Sequence, residues 1–595
     1  VAENEPFKKI LFHLNLNLMK LQFLFLGMFM LLASCQRKQQ PFQTSGVPDL
    51  PPISFCAPKS VVLNTEPGYD GTLVPLFAGL TENFSYPITT DSKVAQKYFD
   101  QGLILAYGFN HAEAARSFQE AARQDPDCAM CHWGLGYVLG PNYNAGMQPE
   151  VLPQAHEAIA KAKMLSYKVS PKEQALILAL SKRYPKTMDD DPKPYYQAYA
   201  DAMRDVQKQF PDDQDIAAMC AEALMDMHPW DLWTKGGQPQ PWTPEILGII
   251  EGVLEKNPQH VQSIHLYIHA TEASGNAERA IPYANHLRSL VPGSGHLVHM
   301  PSHTYLNTGH YWEGTLANER AVKIDSSYVE ACHAAGIYPL AYYPHNWHFL
   351  AACAAMAGKG DRALEASRYM ADHVVNKEMI AEPAFGATLQ HFYTIPWFIM
   401  VKFAKWDEIL NEPEPVFNME YPMAIWHYAK GMAYSAKGNL PQAEKELAAV
   451  KEIEKIEALG EMKLFDINNA LQVVMIASNV LEGEILYRKG QYSQAIVSLE
   501  KAVEFEDGLS YIEPPDWFFS VRHLLGFVLL EAGQFAKAEN VYRTDLKTFK
   551  ENGWALIGLY QSLVKQGKNK EAKAVRQRFE KAWAHADQPL FASIL

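Results

Sequence analysis

No run of lysine and arginine long enough to follow a phosphate backbone occurs in this 595-residue chain, and a formal net charge of −14 argues against a general nucleic-acid binder. A glycine-rich phosphate loop is missing too, as are a serine nucleophile elbow and an HExxH helix. Those absences leave P-loop chemistry, serine acyl transfer and a zincin mechanism without support. The apolar run LQFLFLGMFMLL is too short to span a bilayer comfortably. Cysteine is scarce, seven in all, and only Cys128 and Cys131 stand close together, so no other pairing follows from the sequence. With 48% hydrophobic and 20% charged residues the composition is that of a large globular protein. Small-molecule, metal and protein partners remain.

What is present begins with an address. Lys20 precedes the apolar run, which ends in Leu32-Ala33-Ser34-Cys35. That ending resembles a bacterial lipobox. The resemblance implies a leader and signal peptide over 1–34, with Met19 as the start, cleavage before Cys35, and lipidation of the Cys35 thiol and amine. A retained signal-anchor helix is the alternative. Two or more acyl chains would hold the mature protein at a membrane, on the periplasmic side of the outer membrane or at the cell surface. Residues 35–90 are rich in Pro, Thr and Ser and read as a lipid-anchored tether and irregular cap.

From there the chain repeats. Tyr98, Gly102, Leu105, Ala114, Phe118, Ala121 and Pro126 stand at spacings that resemble the tetratricopeptide signature. Small residues let two helices approach, and aromatics fill the seam between them. Near the C-terminus AKGNLPQAEKEL, RKGQYSQAIVSLEKA, EAGQFAKAENVY and KQGKNKEAKAV each place a glycine five residues before an alanine. The resemblance implies an all-α, right-handed tetratricopeptide-type helical superhelix of about nine to ten helix pairs. N-terminal units span 91–260, central His-rich units with an insertion span 261–420, and C-terminal units span 421–595. At the level of short elements, HLYIHA, HLVHMPSH and YYPHNWHFL resemble those of a bacterial group of such repeat proteins.

Residues 261–348 hold nearly half of the 21 histidines. His265 and His269 stand four apart, and His299 and His303 repeat that spacing one 34-residue repeat length later. Glu272 joins the first pair on one helical face. Tetratricopeptide first helices line a concave groove, and the family's groove positions map onto His265, His299 and His348 (fifth), His269 and His303 (ninth), and His296, His345 and His391 (second). Glu272 takes the twelfth position, and Glu222 the ninth of the preceding unit. Packed helices lie about 8–10 Å apart, so these side chains can converge. Neutral imidazoles suit zinc, copper or iron, with carboxylates completing or orienting the shell. The candidate ligands are His265, His269, His299, His303, His348, Glu222 and Glu272. A polar groove in which the same side chains bind a peptide explains the pattern equally. Pro301 lies inside the helix that carries the second pair, so a late start or a kink there is expected to displace His296 and His299.

Cys128-Ala129-Met130-Cys131-His132 has the spacing of covalent haem attachment. The stretch opens a repeat helix, however, and His132 falls where Tyr98 packs one repeat earlier. A packed histidine beside a local disulfide or free thiols is the competing expectation.

The expected molecule is an exported, lipid-anchored superhelix that binds a protein, peptide or small polar ligand in a His-rich concave groove. The alternative is a transition-metal protein or metal-dependent enzyme using the same groove; the minor alternative is a haem protein through Cys128, Cys131 and His132. No nucleic-acid partner is expected. For the address, Cys35→Ser should abolish lipid processing and shift the protein out of the membrane fraction. Unchanged processing and full membrane fractionation of that variant would remove the lipoprotein reading.

Overall fold

Four glycines set the turns of the C-terminal repeats. Gly438, Gly490, Gly533 and Gly567 have φ between +73° and +78°. A Cβ at any of them would meet nothing within 4 Å, so backbone conformation and not space demands glycine. Five residues later Ala443, Ala495, Ala538 and Ala572 are buried where the next helix packs on its partner.

Other glycines serve the seams. The Phe118 ring lies between two helices, Lys93–Tyr107 and Ala129–Val138. A Cβ on Gly102 would sit 2.9 Å from the ring, and one on Gly134 2.4 Å. Tyr542 is clasped in the same way by Gly526 and Gly558. Tyr98, Leu105 and Phe118 are buried, as their spacing predicts.

In this computed structural model residues 74–332, 337–382 and 385–595 are described, and all lie in the unit Leu50–Leu595. The signal peptide, Cys35 and most of the tether lie outside the described residues. The protein is an all-α, tetratricopeptide-type superhelix. Among the described residues twelve helix pairs follow one another, from Lys93–Tyr107 with His111–Gln124 to Gly553–Lys565 with Asn569–Ala582. The count exceeds nine to ten because pairs such as Pro171–Leu180 with Lys193–Gln209 lack the glycine-alanine turn. Part of the expected insertion is helical: Tyr311–Cys332 runs on for 22 residues, and a π-type turn at Tyr338–Tyr342 leads into Tyr343–Met356.

The superhelix closes on itself. Tyr311 donates to the Lys550 carbonyl at 2.7 Å, Lys359 pairs with Asp587 at 2.6 Å, and Trp312 stacks on His585 with centroids 4.6 Å apart. The C-terminal repeats thus pack on the central ones, and their connecting loops cover the concave side.

The two kinds of glycine predict opposite effects. Gly558→Ala forces a methyl group against the Tyr542 ring and should destabilise by about 1–3 kcal/mol. Gly248→Ala, at an exposed helical position with nothing within 4 Å, should stabilise by about 0.5–1 kcal/mol. Thermal unfolding midpoints that move in the same direction would contradict this packing.

Candidate metal centre

The Val261–Glu272 helix is capped by His260, whose ring accepts from the Ser263 amide at 3.2 Å. The helix carries His265, His269 and Glu272 into the interior, each 3% exposed or less. His265 Nδ1 lies 2.6 Å from the Tyr107 carbonyl, and His269 Nδ1 lies 3.1 Å from Glu272 Oε1. A carbonyl and a carboxylate only accept, so both rings carry hydrogen on Nδ1 and present a lone pair at Nε2. Among the described residues neither Nε2 has a hydrogen-bond partner, and His296 beside them has none at either nitrogen. One ligand atom from each of the three rings lies within 4.8 Å of the others. Phe109, in the left-handed region at φ 56°, places its ring 4.4 Å from His265, 5.8 Å from His269 and 5.7 Å from His296.

A second trio comprises His299, His303 and His345. Pro301 does not displace it. The chain forms two short helices, Gly295–His299 and Pro301–Thr308, joined through Met300 at φ −49° and ψ −37°. Proline occupies the first position of the second helix, where a missing N–H costs nothing. His299 and His303 remain side by side, with Nε2 atoms 2.9 Å apart.

The hydrogen bonds fix the protons here as well. Asn318 Nδ2 donates to the Gly314 carbonyl, so its Oδ1 faces His299 and accepts from Nδ1 at 2.6 Å. His299 Nε2 is therefore an acceptor, and His303 Nε2 donates to it. His303 Nδ1 faces Glu272 Oε2 at 2.8 Å and Glu513 Oε2 at 2.6 Å, so His303 is an imidazolium. Burial works against that charge, but Glu272 and then Glu513 raise its pKa to about 9. Burial also works against the Glu272 carboxylate, yet His269 and His303 hold its pKa at about 2. His265, His296, His299 and His345 are pushed well below the usual imidazole range, first by burial and then by neighbouring imidazoles, His269 and His303 among them, and are neutral donors.

Two proposed ligands lie elsewhere. Glu222 is engaged by the Tyr137 hydroxyl and by Gln262 Nε2 at 3.0 Å, beside the Arg183–Asp226 ion pair. His348 is turned toward His391, 5.6 Å away between centroids, and stacks on Phe518. In their place stand His296 and His345, read from sequence only as groove positions, and Glu513, which the spacing of the histidines does not mark. Glu513 falls in the EPPDWF loop and arrives through closure of the superhelix.

The haem alternative is corrected as well. Cys128 and Cys131 form a disulfide at the start of a helix, so neither sulfur is free to bond a porphyrin. His132 is not a seam residue: it is half-buried, with Nε2 3.2 Å from the Pro126 carbonyl, while neighbouring Trp133 is buried.

The donor set fits a transition ion. Three neutral imidazoles with an open position suit zinc, copper or iron. Carbonyl or carboxylate partners on the far nitrogens are the usual means of aiming such ligands. Beside the trios lies a cavity of about 760 Å³, lined by His269, Glu272, Glu513, Tyr143 and Trp230 among others. The histidines are thus buried on the concave side, while the cavity beside them reaches solvent past exposed residues such as Asp231, Lys235 and Asp507.

Residues 476–507 match the tetratricopeptide repeat family. No curated protein matches the chain. Among solved structures it is similar to the APC/C hetero-tetramer Cut9-Hcn1, at 13% identity, 83% of this chain, 78% of that chain and a TM-score of 0.29. Human IFIT1 bound to m7Gppp-AAAA gives 12%, 83%, 91% and 0.29, and yeast Tom70 gives 13%, 82%, 91% and 0.27. Nothing about this chain's function follows from likenesses of that size.

The imidazolium predicts a pH dependence for metal-free protein. His303 has its folded pKa raised from 6.5 to about 9, so the stability it contributes is complete below pH 6.5 and is lost as pH rises through 9. The stability gap between wild type and His303→Gln should therefore be widest near pH 6 and shrink toward pH 9 in chelator-treated samples. A gap that is constant or widens over that range would show that His303 is not held as a cation.

Proposed function

We propose that this protein binds transition-metal ions in the two imidazole trios, and that the adjoining cavity receives a small molecule on which a bound ion acts. The observation that carries the proposal is the pair of buried Nε2 lone pairs on His265 and His269, each ring pinned from behind at Nδ1. Leaving a buried polar atom without a partner costs about 1–3 kcal/mol, and an ion offsets that cost for several atoms at once. The first site would use His265, His269 and His296, with Tyr107 and Glu272 orienting two of the rings. The second would use His299, His303 and His345, the ion replacing the proton on His303 Nε2, with Asn318, Glu272 and Glu513 behind. A bound zinc, copper or iron ion would supply Lewis acidity to activate water or, for copper and iron, oxygen.

Recognition of a peptide by the same histidines takes second place, since His265, His269, His299 and His303 are at most 1% exposed. The outer faces of the repeats remain suited to a protein partner, as in other helical repeat arrays. An exported, lipid-anchored location belongs to the same proposal, and the Cys128–Cys131 disulfide supports an oxidising compartment.

Protein purified without a His-tag or chelators should contain at least one zinc, copper or iron ion per chain. His269→Ala with His303→Ala should abolish stoichiometric metal while circular dichroism stays helical, and His348→Ala should leave the content unchanged. Titrating the metal into stripped wild type at 100 times its Kd should stabilise it by about 2.7 kcal/mol. Wild type that carries no metal and gains none on titration would end this reading.

A further inference from the structure

The cavity beside the trios has a chemistry of its own. Eight acidic side chains line it against two basic ones, Lys235 and Arg522. Arg522 is already paired with Asp507 at 2.6 Å and Glu506 at 3.7 Å. Glu272 and Glu513 share the single positive charge of His303, and even with burial raising the Glu506 and Glu513 carboxyls the lining holds more acidic groups than cations. Asp516 is the telling member. It is 1% exposed, its Oδ2 accepts from Asn468 Nδ2 at 2.7 Å, and its Oδ1 has no hydrogen-bond partner among the described residues. A buried carboxylate oxygen left unpaired in a cavity wall is a receptor for a donor or a cation.

The rest of the wall is aromatic, with Tyr143, Trp230, Trp233, Tyr511 and Trp517. Aromatic faces attract cations and also bury apolar surface. Carboxylates alone would suit a hydrated metal ion in transit. A space of about 760 Å³ walled by indole and phenol rings is instead of the size and character that enclose an organic ligand.

We infer that the cavity binds an organic ammonium ion with an apolar body, its cationic nitrogen directed to Asp516 and its body held against the aromatic wall. The inference names the class of small molecule for the metal-centre reading above, but the contacts that carry it require no metal. Burial alone holds the Asp516 carboxyl up at about 7, so a bound ammonium would draw it into its ionised form.

The test uses three probes of closely similar shape and different charge. 2-Phenylethylamine, 2-phenylethanol and 3-phenylpropionate are titrated calorimetrically into the full chain at pH 7.5, once stripped with chelator and once loaded with zinc. The amine should bind at least tenfold more tightly than the other two in both states. Asp516→Asn, which keeps the side-chain shape and the Asn468 contact, should weaken the amine at least fivefold and leave the alcohol unchanged. The inference is overturned if the alcohol or the carboxylate binds as well as the amine, if none of the three binds, or if folded Asp516→Asn binds the amine as wild type does. Amine binding confined to zinc-loaded protein would also overturn it, by assigning the affinity to the ion. Equal amine binding by protein that takes up no metal would leave this inference standing and remove the metal reading.

Discussion

The Glu272 carboxylate is the point on which the interior turns. One oxygen accepts from His269 and the other meets His303, so a single side chain orients one ring of each trio. Remove its charge and His269 loses the acceptor that fixes its tautomer, while His303 loses the larger of its two charge partners. A buried ion network is justified energetically only when every lone pair and proton is matched. Both Glu272 oxygens are matched, and the imidazole nitrogens left unmatched beside it belong to the first trio. Those nitrogens are atoms of the kind that bond transition metals.

A tetratricopeptide array is usually an open solenoid in which each unit touches only its neighbours. Here contacts join residues more than 200 positions apart, such as Asn307 with Tyr511 and Tyr311 with Lys550. The ion pairs across that junction are partly exposed and contribute little individually. Packing holds it: a Cβ on Gly358 would fall 2.5 Å from Ala586, and one on Gly309 2.7 Å from Glu551. Closure turns a concave surface into an interior, and an interior is what desolvates the histidines. Open to water, the same residues would titrate as ordinary imidazoles.

How much of this was legible depended on the range of the interaction. Turn glycines, seam aromatics and the repeated His-x3-His pair are local or one repeat apart, and each reads directly from spacing. His265, His269, His299, His303 and Glu272 come together because adjacent first helices share a face. Glu222 fits the same rule by position, but its neighbours Tyr137, Gln262 and Arg183 claim it, and no spacing encodes those contacts. His348 shares a helix with His345, but three residues on its ring meets His391 and Phe518 instead of the trio. Glu513 was beyond reach. Its place depends on the pitch of the whole superhelix, a sum of many small rotations that no single unit reveals.

The repeat also explains why the two trios differ. Counting 34 residues on from His265, His269 and Glu272 leads to His299, His303 and Leu306, so the second unit copies the imidazoles but not the carboxylate. Leu306 lines the cavity instead. The second trio therefore takes its negative charge from outside its own helices, from Glu272 one repeat back and from Glu513 across the closure. His269 sits against one shared carboxylate and stays neutral, whereas His303 sits against two and is a cation. A cation entering the first trio meets three lone pairs, while one entering the second must expel a proton that two carboxylates hold in place. Metal affinity at the second trio should accordingly depend more steeply on pH, and the order of loading should run from the first trio to the second.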